Sequence, residues 1–338
     1  MSQLTATSLW GVFRQTGASF SHDKVPKLSA ALAYYAIFSL GPMLMVIIFS
    51  AELLWQQEAV EGKLYGQIQG LVGSQVAFQV QEIIKNAAVH GNNALNALIG
   101  FATLILAATG LFSEMQDSIN TIWQLRVRPD AGWGRLLKAR LTSFLLVVGL
   151  GFLLIVSLII SGLVEGLMGK LKAIFPDTTV ILVYVANLFV TLLITSVLFA
   201  IIYKVLPDAI IRWKDVAVGA IFTAILFMIG KFGITLYVTS SKVSTAYGAA
   251  GSLVVLLLWI YYSSIILYFG AEFTKCYVLK YGTEIQPNKN AVLVQTVHLE
   301  SKHGSLQENE ATRADTERAL RSAQNDPDRN RNSPWSTA

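Results

Sequence analysis

A lysine, Lys231, sits inside a long apolar run, flanked by Phe227, Met228, Ile229, Phe232 and Ile234. An ionisable group in hydrocarbon is expensive and normally faces protein or a water-filled cavity. Two readings follow: a cation that draws an anionic headgroup or solute, or an ammonium carried by its stem to the nearer membrane surface. Upstream, Tyr184, Asn187, Thr191 and Thr195 recur at spacings of 3, 4 and 4. They share one helical face, which either lines a hydrated path or bonds to a neighbouring helix. Downstream, Ser252, Trp259 and Ser263 share another face, with Tyr262 beside them. Trp259 lies too deep in its run to be an interfacial anchor. Glu272 ends that run, placed to pair with Lys275 or with a basic loop. Ser113, Asp117, Asn120 and Gln124 form a fourth polar face, followed by Arg126 and Arg128.

These groups suit binding and passage better than catalysis. Metal-assisted cleavage needs clustered carboxylates or histidines to hold ions and activate water. The four histidines (His22, His90, His298, His303) fall in different segments, and the acids are scattered. There is no metal-ligand spacing and no Gly-rich phosphate loop with its lysine. No catalytic residue, metal site or cofactor is expected. The single cysteine, Cys276, excludes an intrachain disulfide framework.

The elements that must position these residues are membrane spans. Of 338 residues, 54% are hydrophobic and 14% charged, against about a quarter charged in soluble domains. Residues 283–338 hold 15 of the 47 charges, so a membrane body precedes a polar tail. Six runs reach the roughly 20 apolar residues a spanning helix needs: 30–53, 94–112, 141–163, 180–203, 216–238 and 248–271. Lipid leaves each backbone to satisfy its own hydrogen bonds, which favours helices, and the alternation of a membrane barrel is absent. The fold class is therefore an all-α integral membrane protein with six transmembrane helices over residues 29–281.

Basic residues orient the spans. Thirteen, including Arg14, Arg126, Arg135, Lys204, Arg212 and Lys275, fall in alternate connections, against five (Lys63, Lys85, Lys170, Lys172, Lys242) in the others. The richer side is read as cytoplasmic, with both termini there. Residues 1–28 form a cytoplasmic segment in which Leu9, Trp10 and Phe13 suggest a helix on the membrane surface; a frayed end is the alternative. The outer connection 54–93 repeats apolar residues with a helical period, giving an outer amphipathic helical segment. Pro42, after Gly41, should kink or break the first span. Tyr247, Gly248 and Gly251 open the sixth with small residues that let helices approach closely. Residues 282–338 are too polar to offset their ordering entropy, and a disordered cytoplasmic tail is expected.

In this order the motifs resemble the YihY/BrkB family of bacterial inner-membrane proteins over roughly residues 20–280. They are Ala30-Ala31-Leu32-Ala33-Tyr34-Tyr35 with Pro42, Ile119-Asn120 with Trp123, Leu206-Pro207 with Trp213 and Gly219-Ala220, and Tyr247-Gly248 through Trp259 to Gly270-Ala271-Glu272. The resemblance implies a six-helix protein of the inner membrane, from a family whose members have carried a ribonuclease name or an envelope role. It marks Pro42, Asn120, Pro207, Tyr247, Gly248, Gly251 and Glu272 as structural motif positions.

Three functions remain. The first is transport or export of a lipid or other anionic small molecule, or envelope maintenance, along a path lined by Lys231, Asn187, Thr191, Thr195, Trp259, Tyr262 and Ser263. The second is a non-catalytic scaffold that docks envelope partners. The third is a membrane-bound ribonuclease. Expected partners are membrane lipids, anionic ones above all, and a further copy of the chain, with no nucleic acid. Cysteines introduced near Arg135 should resist an impermeant thiol reagent in intact cells, whereas cysteines near Lys63 should react. The opposite pattern would invert the whole topology.

Overall fold

The computed structural model describes residues 6–52, 78, 94–128, 176–240, 251–282, 284–289 and 291–294. The third apolar run, the outer segment apart from residue 78, Tyr247, Gly248 and the tail beyond 294 lie outside the described residues. Residues 295–338 form a separate unit.

The described chain is mostly helical. In order it forms α1 (Ala6–His22), α2 (Val25–Glu52), α3 (Ala94–Ile122), β1 (Leu125–Val127), α4 (Pro176–Val205), β2 (Ala209–Ile210), α5 (Trp213–Ser240), α6 (Gly251–Tyr281), β3 (Gln286–Pro287) and β4 (Ala291–Leu293). Five of the six apolar runs coincide with α2 to α6. Three stretches, Leu188–Val205, Trp213–Ile234 and Leu253–Tyr281, are long and apolar enough to cross a membrane.

The ends follow local chemistry. α4 opens on Pro176, where a missing amide costs nothing. It closes with Lys204 in its last turn, whose ammonium suits the negative end of the helix dipole. Asp215 occupies the positive first turn of α5. Lys24 (φ 53°) and Gln124 (φ 58°) take left-handed conformations at the breaks after α1 and α3. α2 is one helix through Pro42 to Glu52, so the break expected there does not occur.

α6 is the central element: α1, α2, α3 and α5 all pack on it, α3 lies on α2, and α4 on α5. Close approach between α5 and α6 depends on glycine. A Cβ at Gly219 would collide with Thr274, one at Gly230 with the Tyr262 hydroxyl, and one at Gly270 with Thr223 and the Tyr203 hydroxyl. The buried Tyr203 hydroxyl donates to the Leu267 carbonyl at 2.7 Å and lies 3.1 Å from Thr223 Oγ1, which donates to the Gly219 carbonyl at 2.7 Å. These bonds stitch α4, α5 and α6 together. The core joining the helices includes Val25, Leu32, Ile119, Trp123, Ala220 and Ala271. On the outside, Phe189, Ile229, Phe232 and Leu236 are each at least 59% exposed, the apolar surface that hydrocarbon would cover.

α1 is not frayed. Val12 and Thr16 are fully buried, and Phe13 and Phe20 stack edge-on against Phe269 of α6. The start of the tail is also ordered, contrary to expectation. β4 pairs antiparallel with β1 (Leu125↔Leu293, Val127↔Ala291), and β3 with β2 (Ala209↔Pro287). The physical reason is a short apolar patch in polar surroundings: Ala291 is buried and Ile285 packs against the core.

Gly270→Val should lower the unfolding midpoint in detergent by the equivalent of about 3 kcal/mol, as overpacking of a tight contact does. Gly17→Ala, with nothing within 4 Å of the added carbon, should leave the midpoint unchanged or slightly raised.

Candidate functional site

Two polar clusters form at the basic end of the bundle, where α1, the ladders and Lys204 lie. The first is built on Lys275 of α6. Its Nζ donates to Asp23 Oδ2 at 2.9 Å and to the Ile122 carbonyl at 2.7 Å. It also lies 2.8 Å from Glu272 Oε2, an ion-pair contact one turn back on the same helix. Glu272 is fully buried. Asp23 also accepts from the exposed His22 at 2.7 Å. Burial alone would push the Asp23 carboxyl up. Contacts with Glu272, His22 and Lys275 outweigh it and hold the group below the usual carboxylate range. The expected Glu272–Lys275 pair is present, with Asp23 as a third member.

The second cluster is built on Asp208, which follows the buried Pro207. Its carboxylate accepts from Gln116 (3.1 Å), Asn120 (3.0 Å) and Asn288 (2.9 Å), while its backbone amide donates to Asn120 Oδ1 at 2.9 Å. Its carbonyl accepts from the Asn288 amide at 3.0 Å. One residue thus ties α3, the α4–α5 connection and the β3–β4 turn. Neither Asp23 nor Asp208 stands out in sequence. The adjacent Pro207 is the only local signal for Asp208, and its partners lie 80 to 92 positions away.

A cavity of about 380 Å³ opens beside the first cluster, lined by Trp123, Gln124, Lys275, Val278, Glu284 and Gln286 among others. Trp123 itself donates from Nε1 to the Ala271 carbonyl at 3.1 Å.

The remaining candidate residues lie farther along the helices. Phe199 of α4 meets Phe227 of α5 at 6.0 Å between centroids, and Phe227 meets Trp259 of α6 edge-on at 6.1 Å. Thr195, buried, is one turn beyond Phe199, and Lys231, half-buried, is one turn beyond Phe227, both away from the α4–α5 connection. Trp259 Nε1 is buried with no hydrogen-bond partner among the described residues. Tyr262 sits against Gly230, next to Lys231 in sequence. Thr191 is half-buried on α4, and Asn187 lies in the same helix. Ser263 spends its hydroxyl on the Trp259 carbonyl at 2.9 Å, within its own helix. Gly251 is buried at the start of α6. Two largely apolar grooves run along the outer α4–α5 surface. One of about 340 Å³ includes Phe189, Ser196 and Ile221; the other, about 390 Å³, includes Leu188, Ile229 and Phe232; both share Leu192. Lys231 and Trp259 are not among the residues lining either groove. Among the described residues no three His, Cys, Asp or Glu side chains group as a metal site would.

The family model described as virulence factor BrkB matches residues 16–293. The chain is 26% identical over 262 residues to a UPF0761 membrane protein of Aeromonas salmonicida, covering 76% of this chain and 85% of that protein. It is 28% identical over 272 residues to one of Tolumonas auensis, covering 75% and 80%. For one of Haemophilus influenzae the figures are 29% over 260 residues, 75% and 90%. No solved structure matches the chain.

The lowered Asp23 group sets a pH dependence. A carboxylate held below its unfolded value stabilises the fold fully above about pH 4, and that contribution is lost as pH falls through the folded value. Wild-type protein should therefore lose thermal stability steeply below about pH 4. Asp23→Asn should start about 2 kcal/mol less stable near neutrality, having lost a charge-assisted bond, and should show a flatter acid limb.

Proposed function

The chain belongs to the virulence factor BrkB family, and from that premise we propose that it moves or exports an anionic lipid, or a similar anionic amphiphile, across the bacterial inner membrane. The orientation proposed with it puts the basic end, with α1 and the ladders, in the cytoplasm, as the excess of basic connections suggests.

The observation that carries the reading is the meeting of α4, α5 and α6 at Phe199, Phe227 and Trp259. It leaves an indole N–H without a hydrogen-bond partner among the described residues, with Lys231 and the Thr195 hydroxyl one turn beyond. Hydrogen-bond donors at membrane depth favour an anion over a cation or a neutral solute. The apolar grooves sharing Leu192 run along the same pair of helices. Together they suit a molecule with a negative head and hydrocarbon chains, the head meeting the donors and the chains lying along α4 and α5. No catalytic step is needed, and the non-enzymatic reading is retained.

The full chain, reconstituted in liposomes with fluorescent phosphatidylglycerol, should speed transfer of the label between leaflets over empty liposomes. Lys231→Ala should slow it about tenfold, the equivalent of one charge-assisted contact. An unchanged rate from a folded Lys231→Ala protein removes Lys231 from the path. No acceleration by the wild type removes the function.

A further inference from the structure

The apolar groove of about 340 Å³ between α4 and α5 meets charge at the basic end of the bundle. On α4 its lining ends at Ala200, and Lys204 follows one turn on. On α5 its lining begins at Ala217, and Trp213 and Lys214 precede it by one turn. Residues three or four apart share a helical face, so these three side chains continue the groove's own stripe. Two of them are in contact: the Lys204 ammonium lies over the Trp213 ring, 5.7 Å from its centroid, and donates to the Ile211 carbonyl. Trp213 is 57% exposed, and Lys214 is exposed beside it. An exposed indole of this kind belongs at the membrane–water boundary, the level at which headgroups lie.

Nearby acids leave this stripe to its cations. Between Phe189 and Ile234 the chain has only Asp208 and Asp215. Asp208 is buried and held by the Gln116, Asn120 and Asn288 amides. Asp215 lies beside Tyr277 of α6, and as the second residue after Trp213 it stands roughly 200° around α5 from it. The groove also has the dimension of a hydrocarbon chain. From Ala200 to Phe189, both in its lining, α4 advances about 16 Å at 1.5 Å per residue, roughly half of a hydrocarbon core about 30 Å thick. Small residues (Ala200, Ala217 and Ala220) lie between the exposed Phe189, Leu193 and Ile221.

We propose that this groove and the Lys204–Trp213–Lys214 stripe at its mouth bind one phospholipid of net negative charge from the leaflet at the basic end. Its phosphate meets the two ammonium groups, and one acyl chain lies along the groove. A zwitterionic lipid would bring an amine or choline cation against these lysines with no carboxylate on the stripe to receive it. The inference rests on the proposed function in one respect, that α4 and α5 hold lipid chains, and it requires no transfer between leaflets. Lys214 and Lys231 are separated on α5 by about 26 Å at the helical rise, so this headgroup position is distinct from the donors around Trp259.

The full-length protein in detergent is titrated with dioleoylphosphatidylglycerol, dioleoylphosphatidylcholine or inorganic phosphate, and retention is read by native mass spectrometry. The wild type should retain one phosphatidylglycerol about tenfold more tightly than phosphatidylcholine, and inorganic phosphate should not compete. Lys214→Gln should weaken phosphatidylglycerol about fivefold, and Lys204→Gln combined with it should erase the preference. Ala217→Phe, which fills the groove, should weaken both lipids. Lys289→Gln, exposed but off the stripe, should change nothing. Unfolding midpoints verify that each variant is folded, and Lys214, on the surface, carries the test if the double variant is not. Equal retention of the two lipids by the wild type, an unchanged preference in folded Lys214→Gln, unchanged retention in folded Ala217→Phe, or displacement of the lipid by inorganic phosphate each overturns the site. Selective retention without leaflet transfer defeats the lipid-moving function alone, and leaflet transfer without selective retention defeats this inference alone.

Discussion

The contact on which the basic end of this protein depends is the Lys275 ammonium. It joins three pieces of chain distant in sequence: Asp23 at the α1–α2 turn, the Ile122 carbonyl at the end of α3, and Glu272 on α6. Removing a charge this deep from water is repaid only when nearly all of its donors are engaged, and three acceptors within 2.9 Å meet that demand. The Ile122 carbonyl is available because α3 stops there, at the left-handed Gln124, leaving its last carbonyls unbonded within the helix. The turn that presents Asp23 likewise needs the positive φ of Lys24. Helix termination, an unfavourable backbone angle and a buried charge are thus one arrangement. Removing any acid partner leaves a lysine that neither water nor protein fully satisfies.

The same constraint explains why α6 holds the centre. A helix packed on α1, α2, α3 and α5 must match protein on several sides, while Leu253 and Leu257 stay exposed near its start. Against α5 the match is steric, with Gly219, Gly230 and Gly270 removing bulk where Thr274, Tyr262, Tyr203 and Thr223 supply it. In hydrocarbon there is no hydrophobic gain from helix association, so this close fit and the hydroxyl bonds along it are what hold α4, α5 and α6 together. Against α2 and α3 an apolar core that includes Val25, Leu32, Ile119 and Ala271 is joined by the polar contacts of Lys275.

The spans were legible because hydrocarbon thickness imposes a length and backbone satisfaction imposes a helix, and both leave a plain trace in composition. Span ends were less so: α3 and α6 each continue about ten residues beyond their apolar runs, to Ile122 and Tyr281, since a helix does not stop where lipid does. Within the candidate path, shared faces could be read from spacing, but which face meets which helix could not. Hence Ser263 proves to bond within α6, while Phe227, a mere flanking residue in sequence, brings the helices together with Phe199. The Asp208 cluster escaped because its donors come from two distant segments, α3 and the β3–β4 turn. The β3–β4 turn escaped because Ile285, Ala291, Val292 and Leu293 are too few to alter the polar average of the tail around them.

Helical geometry keeps two faces of α6 apart. Trp259 and Tyr268 are nine residues apart, which at 3.6 residues per turn is roughly half a revolution. Trp259, Gly270 and Thr274 meet α5, whereas Tyr268 and Lys275 meet α3 and the turn before α2. Any influence of one face on the other must pass through α6 itself, by a small rotation or slide of a packed helix. The glycine contacts with α5 resist such a shift sterically. The Lys275 contacts with α3 and the turn before α2 hold it electrostatically, in a manner that depends on the charge of Glu272. A helix restrained by shape on one side and by charge on the other is thereby held against both sliding and rotation.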